Sequence, residues 1–322
     1  AAAIAVPLLT IAGWFLLRQM SAPLPPPRVV RLTTYPGSEL CPSFSPDGSQ
    51  VAFQWNGEKQ DNIDIYVKLI GGGAPLRLTT DPAPDIFPAW SPDGHHIAFV
   101  RQASIYLVSP LGEQERKVAD FRRTVFPSIC WSPDGKWLAV AEAETQGANG
   151  IFLIPVERGE RRRLTSNAGF LDHSPSFSPD GRFLAYASCS SYSVVGSESC
   201  DVNLIELDPD FLPKGQAHRL TNQNTNIGGT AWTRDGRSVI YASGPGKDFP
   251  HLWRVTISGT AKPERLELAG ARAKNPAISP VGNRLAYDQA EGDSDIWKFE
   301  AGALVKNFIA STLTEANPQF SP

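Results

Sequence analysis

The tetrapeptide Ser-Pro-Asp-Gly occurs at Ser45–Gly48, Ser91–Gly94, Ser132–Gly135 and Ser178–Gly181. Altered copies follow at Thr233–Gly236 and Ser279–Gly282, and a further one is entered at Ser321. The first residues of successive copies lie 46, 41, 46, 55, 46 and 42 positions apart. A unit recurring at roughly 40–50 residues is the period at which one repeat builds one four-stranded propeller blade.

Each copy carries its own local physics. A short apolar run precedes the tetrapeptide, as in Pro42-Ser43-Phe44, Pro88-Ala89-Trp90 and Pro175-Ser176-Phe177. A strand-like run follows it, as in Gln50–Phe53, His96–Phe99 and Arg182–Tyr186. Between them, proline presets φ for a turn, aspartate accepts bonds from nearby backbone amides, and glycine takes the left-handed conformation. A third strand is expected at Asp64–Val67, Ser104–Leu107, Gly150–Leu153, Asp201–Leu204, His251–Arg254 and Asp295–Lys298. A fourth is expected at Arg77-Leu78-Thr79, Arg163-Leu164-Thr165, Arg219-Leu220-Thr221 and Arg265-Leu266-Glu267, with weaker versions at Val118 and Leu313. Strands this short cannot bury a face alone, so they require neighbouring repeats to stack against.

With 41% hydrophobic residues, 27 Gly and 28 Pro in 322 residues, the chain reads as globular and turn-rich. A net charge of −3 supplies no basic field for nucleic acid. Ala1–Leu17 is apolar apart from Thr10, and Trp14 and Arg18 sit where an interfacial belt would begin. Residues 1–20 are therefore expected to form a transmembrane helix, with a signal sequence or a buried helix as alternatives. Residues 21–28 then form a Pro-rich spacer, and residues 29–322 the propeller. The fold expected is all-β: six complete four-stranded blades, an orphan outer strand at Val30–Thr33, and the start of a seventh blade at Pro318–Pro322, preceded by the apolar helix.

Repeats of the form Pro-x-Trp/Phe-Ser-Pro-Asp-Gly, then Ile/Leu-Ala-Phe/Tyr, then Asp-Ile-Tyr/Trp, then Leu-Thr resemble those of TolB-type β-propellers, also called WD40-like Pro-Asp repeats. The resemblance runs from Val30 to Pro322. It departs from the pattern at Ile129-Cys130-Trp131, where the proline has moved to Pro127, at Thr233-Arg234 and at Val281. The layout of helix, spacer and propeller resembles bacterial one-pass regulators with a cytoplasmic winged-helix or Ser/Thr kinase domain. That resemblance implies a non-catalytic sensing module in the periplasm, binding a protein or peptide on its face. The alternatives are a periplasmic TolB-like scaffold for envelope complexes, or the propeller cap of a peptidase or kinase whose catalytic domain lies elsewhere.

The chemistry-bearing residues are weighed against this fold. The turn aspartates Asp47, Asp93, Asp134, Asp180 and Asp235 are explained by turn formation without a metal. Phe44, Trp90, Trp131, Phe177 and Trp232 hold one repeat position, where packing between blades is expected. The histidines are scattered, no Gly-x-Ser-x-Gly, His-Glu-x-x-His or phosphate-cradling loop occurs, and neither a cofactor nor a catalytic set is assigned. Cys189 ends a second strand and Cys200 precedes a third, so a disulfide closing the intervening loop is expected, and with it an oxidising compartment. Cys41 and Cys130 read as buried small residues. Three residues before the proline of the first strand stand Glu39, Asp85, Asp172 and Glu315, whereas Ile227 and Ala273 break the series. These four carboxylates are the candidate binding site, an acidic ring at the channel mouth for a cation or a basic peptide. The competing reading is a solvated loop position that favours acids.

Overall fold

The computed structural model describes residues 28–112, 114–122, 128–143, 149–166, 169–190, 199–244, 250–258, 262–289, 296–300 and 303–309. Of the first compact unit, residues 1–32, the described part forms no strand. The second unit, residues 33–322, carries every strand.

Five blades of four antiparallel strands follow one another. Blade 1 is β1 (Glu39–Phe44), β2 (Gln50–Trp55), β3 (Asp64–Leu69) and β4 (Leu76–Arg77). Blade 2 is β5 (Asp85–Trp90), β6 (Ile97–Arg101), β7 (Ser104–Val108) and β8 (Arg116–Asp120). Blade 3 is β9 (Ile129–Trp131), β10 (Trp137–Ala143), β11 (Asn149–Pro155) and β12 (Arg162–Arg163). Blade 4 is β13 (Phe170–Phe177), β14 (Phe183–Ser190), β15 (Ser199–Glu206) and β16 (His218–Arg219). Blade 5 is β17 (Asn226–Trp232), β18 (Ser238–Gly244), β19 (His251–Thr256) and β20 (Glu264–Arg265). One parallel pairing, Asn149 with Leu171, links β11 to β13.

The sixth repeat departs from the expectation. β21 (Ala273–Ile278) and β22 (Leu285–Gln289) form a two-stranded sheet, and β23 (Ile296–Glu300) pairs with β24 (Ala303–Ile309) instead of extending it. The expected count of six complete blades is thus corrected to five four-stranded blades plus two two-stranded hairpins among the described residues. The expected outer strand at Val30–Thr33 is not a strand either. No need for a seventh blade arises, because β21 touches both β17 and β1. The first strands β1, β5, β9, β13, β17 and β21 make a closed circuit of contacts. As to the expected N-terminal helix, no helix among the described residues is long and apolar enough to cross a membrane. Residues 1–20, nearly all of the spacer 21–28, the outer strand near Leu313 and the segment Pro318–Pro322 lie outside the described residues.

Blade-to-blade packing explains the weak alternation of the middle strands. β6 and β18 are buried along their whole length, because each blade is covered on both faces by its neighbours. Ala98, Val100, Ile105 and Leu107 of blade 2 meet Leu138, Val140 and Ile154 of blade 3. Ala185, Ala187, Val202 and Leu204 of blade 4 meet Val239, Tyr241 and Val255 of blade 5. Each fully buried Val, Leu or Ile among them contributes about 1.5–3 kcal/mol.

The Ser-Pro-Asp-Gly turns are built alike. At the first, Ser45 Oγ donates to Asp47 Oδ1 at 2.6 Å, the Ser49 amide donates to the same oxygen at 3.0 Å, and the Gln50 amide donates to Ser45 Oγ at 2.9 Å. Gly48 holds φ +66. The bonds from Ser45 and Ser49 pull the Asp47 carboxyl down to about 2. The turns also stack around the ring. A Cβ on Gly94 would meet Pro46, one on Gly135 would meet Pro92, and one on Gly236 would meet Pro179. On Gly48 it would meet Ser279 and Arg284 of the sixth repeat, so the stack closes on itself.

Candidate functional site

The inner strands share a device absent from the sequence reading. β1, β5, β13, β17 and β21 each carry a β-bulge, between Leu40 and Ser43, Ile86 and Ala89, His173 and Ser176, Ile227 and Thr230, and Lys274 and Ala277. In four of them the residue before the proline is left-handed: Cys41 (φ 56), Phe87 (φ 56), Ser174 (φ 50) and Asn275 (φ 47). A bulge turns its amide out of the ladder, and here the freed amide is bonded by the preceding blade. Phe87 N donates to Gln54 Oε1 at 2.9 Å, and Ser174 N donates to Ser128 Oγ at 2.9 Å. Cys41 N donates to Asp288 Oδ1 at 3.2 Å, which ties β1 to β22 across the closure. Indole donors add further ties: Trp131 Nε1 to Ala89 O at 2.8 Å and Trp232 Nε1 to Ser176 O at 2.9 Å.

The candidate carboxylates sit just before these bulges. Asp85 is fully buried and paired with Arg101, Nε to Oδ1 at 2.6 Å and Nη2 to Oδ2 at 2.7 Å. Arg101 also donates to Glu115 at 2.6 and 3.0 Å and lies over the rings of Phe99 and Tyr106. Asp172 is fully buried and accepts from Ser188 Oγ at 2.6 Å. Glu39 is half-buried and accepts from Thr33 Oγ1 and the Tyr35 amide at 2.9 and 2.8 Å. Glu315 lies outside the described residues. Register counted from the bulge, not from a proline, places Asn226 at this position in blade 5 and Ala273 in β21.

In blade 4 the structure joins residues that lie apart in sequence. Cys189 and Cys200 are directly paired across β14 and β15 and disulfide-bonded. His173 Nε2 stands 3.2 Å from Cys189 Sγ, and all three residues are buried. Both sulfurs are consumed by the disulfide and offer no thiolate, which is the form a metal requires. Burial alone holds the His173 imidazole down to about 4. Cys41 and Cys130 are free and half-buried.

An open concave region lies between the outer parts of blades 2 and 3, on the face that carries the Ser-Pro-Asp-Gly turns. Two adjoining cavities, of about 590 and 760 Å³, share the wall formed by Pro155–Gly159. Six cations line them, Arg116, Lys117, Lys136, Arg158, Arg161 and Arg162, against the carboxylates Asp93, Glu157 and Glu160. Arg162 lies 4.4 Å from the centre of the Trp137 ring. Arg161 is held by the buried Glu142 at 2.7 Å, and Arg116 donates to Val156 O at 3.1 Å. The run Arg158-Gly-Glu-Arg-Arg-Arg was a legible signal for this site. Its partners Arg116 and Lys117 come from β8 and Lys136 from the turn before β10, and they are brought in only by the fold.

The model of the TolB beta propeller domain matches residues 27–193, more than half of the chain. The chain belongs to the TolB beta propeller domain family. An uncharacterized protein of Agrobacterium fabrum is 26% identical over 194 residues, covering 59% of this chain and 60% of that protein. The uncharacterized peptidase YuxL of Bacillus subtilis is 29% identical over 209 residues, 51% of this chain and 31% of that protein. The chain thus spans only part of the length of both relatives. Among solved structures, TolB from Acinetobacter baumannii superposes with a TM-score of 0.61 at 20% identity, over 76% of this chain and 58% of that one. At that identity the likeness concerns the fold.

Proposed function

We propose that this TolB-type propeller is a non-catalytic binding module, working outside the cytoplasm, whose partner is a protein or peptide. The observation that carries this reading is the concave, cation-lined groove between blades 2 and 3, where Arg158 and Arg162 have no carboxylate partner among the described residues, whereas Arg101 is tied up inside blade 2. Its volume falls in the range of about 300–1,000 Å³ typical of ligand sites. The buried Cys189–Cys200 disulfide supports an oxidising compartment, since such bonds persist outside the cytosol. In a longer protein, this module serves as the sensing half of a one-pass regulator.

The test is site-specific photocrosslinking in the native host. A crosslinker at Arg158 is expected to trap a discrete partner, whereas one at Gly215, in an exposed turn of blade 4 away from the groove, traps none. Equal adducts from both positions would remove the groove as the binding site. A second reading follows from the likeness to YuxL, named as a peptidase, in which the propeller serves a hydrolase domain. Turnover of peptide substrates by the purified chain would favour that reading over the first.

A further inference from the structure

Resting on the binding reading above, we infer that the groove takes an acidic peptide in extended form, laid along the free edge of β8 beneath the β11–β12 turn. Two independent features point to this ligand. The first is charge. Arg116, Lys117, Lys136 and Arg161 are paired with Glu157, Asp120, Asp134 and Glu142, which leaves Arg158 and Arg162 without a carboxylate partner among the described residues and able to receive one from a ligand. Guanidinium groups bind carboxylates through paired, charge-assisted hydrogen bonds, and the Arg162 guanidinium is positioned by the Trp137 ring and by its bond to Asp210 O at 2.9 Å.

The second feature is backbone. β8 is the last strand of its sheet, in the order β5-β6-β7-β8, and its residues Arg116–Ala119 form one wall of the smaller cavity. At five residues it is longer than the two-residue fourth strands β4, β12, β16 and β20. An extended peptide can add to such an edge through main-chain bonds, with alternate side chains reaching the cations. The β8 edge selects among polyanions, because nucleic acid and polyphosphate offer no peptide main chain to pair with it.

The probe is hexaglutamate, titrated into the purified chain by calorimetry alongside hexalysine and a neutral Gly-Ser hexapeptide. Hexaglutamate alone is expected to bind, more weakly as salt rises. The double variant Lys136→Glu, Arg158→Glu changes two exposed side chains, so it should keep the native melting curve while losing at least about tenfold in affinity. A hexaglutamate N-methylated at alternate residues keeps every charge but loses main-chain donors, and is expected to bind several-fold more weakly. Absence of hexaglutamate binding, an unchanged affinity in the double variant, equal binding of the N-methylated peptide, or tighter binding of inorganic polyphosphate would each overturn the inference. Crosslinks from Arg158 that persist under any of those outcomes would leave the binding module standing and only its acidic ligand refuted.

Discussion

His173 is the residue whose environment departs furthest from its chemistry. It lies in β13 among apolar side chains, beside Ser174 Oγ and Cys189 Sγ, and burial lowers its pKa from the ordinary value of 6.5 to about 4. The unfolded chain therefore takes up a proton near pH 6.5 that the folded chain refuses until about pH 4. The stabilisation is complete above pH 6.5 and is lost as the pH falls toward 4, by roughly 3 kcal/mol over the whole window. The turn aspartates with lowered pKa values, Asp47, Asp93, Asp180 and Asp235, act at more acidic pH, whereas burial raises Asp64, Asp85 and Asp288, which contribute with the opposite sign, so the histidine is read from the difference between variant and parent. In His173→Gln, which cannot take up a proton, urea midpoints measured between pH 4 and 7 should lose most of this slope. An unchanged slope would assign the acid sensitivity elsewhere.

At the scale of elements, the hairpins were legible in sequence and the bulges were not. Ser-Pro-Asp-Gly specifies its turn through groups that all lie within five residues, so the bonds from Ser45, Ser49 and Gln50 follow from the motif alone. The left-handed Cys41 and Phe87 carry no such signal, since neither residue type favours that region. Their conformation is imposed by the neighbouring blade, which receives the freed amide. The buried pairing of Asp85 with Arg101 lies within one blade, where the bulge sets the register that opposes them, and that register was hidden with the bulge. The pairing of β23 with β24 was equally illegible, because an Asp-Ile-Trp strand fits either partner. Blade 5 solves the bulge differently, with Gly229 at φ +119, where a Cβ would come 3.1 Å from Asn275 Cα and 3.2 Å from Pro276 Cδ of β21. Gly229→Ala therefore incurs both backbone strain and a clash with main chain, at least about 2 kcal/mol. Gly215→Ala, at φ +91 with nothing within 4 Å, incurs the strain alone and serves as the reference. The thermal midpoint of Gly229→Ala should fall several degrees below that of Gly215→Ala. Equal midpoints would show that the two strands part without cost.

For the whole molecule, the question is how a ring with one thin sector stays shut. Among the described residues the hairpin β21–β22 has no third and fourth strands of its own sheet to cover it, yet it must hold both blade 5 and blade 1. Toward blade 5 it has an apolar contact: Ile240, Ala242 and Leu252 against Ala273, with Ile278 and Leu285 packed alongside. Toward blade 1 the described ties include a polar one, Asp288 to the Cys41 amide, and the stacking of Gly48 on Ser279 and Arg284. These ties predict that the seam between β22 and β1 opens first. Asp288→Ala leaves the Cys41 N–H without this acceptor, at a cost of about 1–3 kcal/mol. Gln54→Ala removes the equivalent bond to Phe87 between blades 1 and 2, where Ala52, Ile65 and Val67 still pack on Trp90, Ile97 and Phe99. Hydrogen exchange should separate the two variants. In Asp288→Ala, the amides of β1, β21 and β22 should exchange faster together, as one opening unit, while β6 and β14 stay protected. In Gln54→Ala the change should stay local to Phe87, because apolar packing on both sides keeps the blades joined. If Gln54→Ala opens a pair of blades as readily as Asp288→Ala does, closure is shared evenly around the ring and the two-stranded sector is no weaker than the rest.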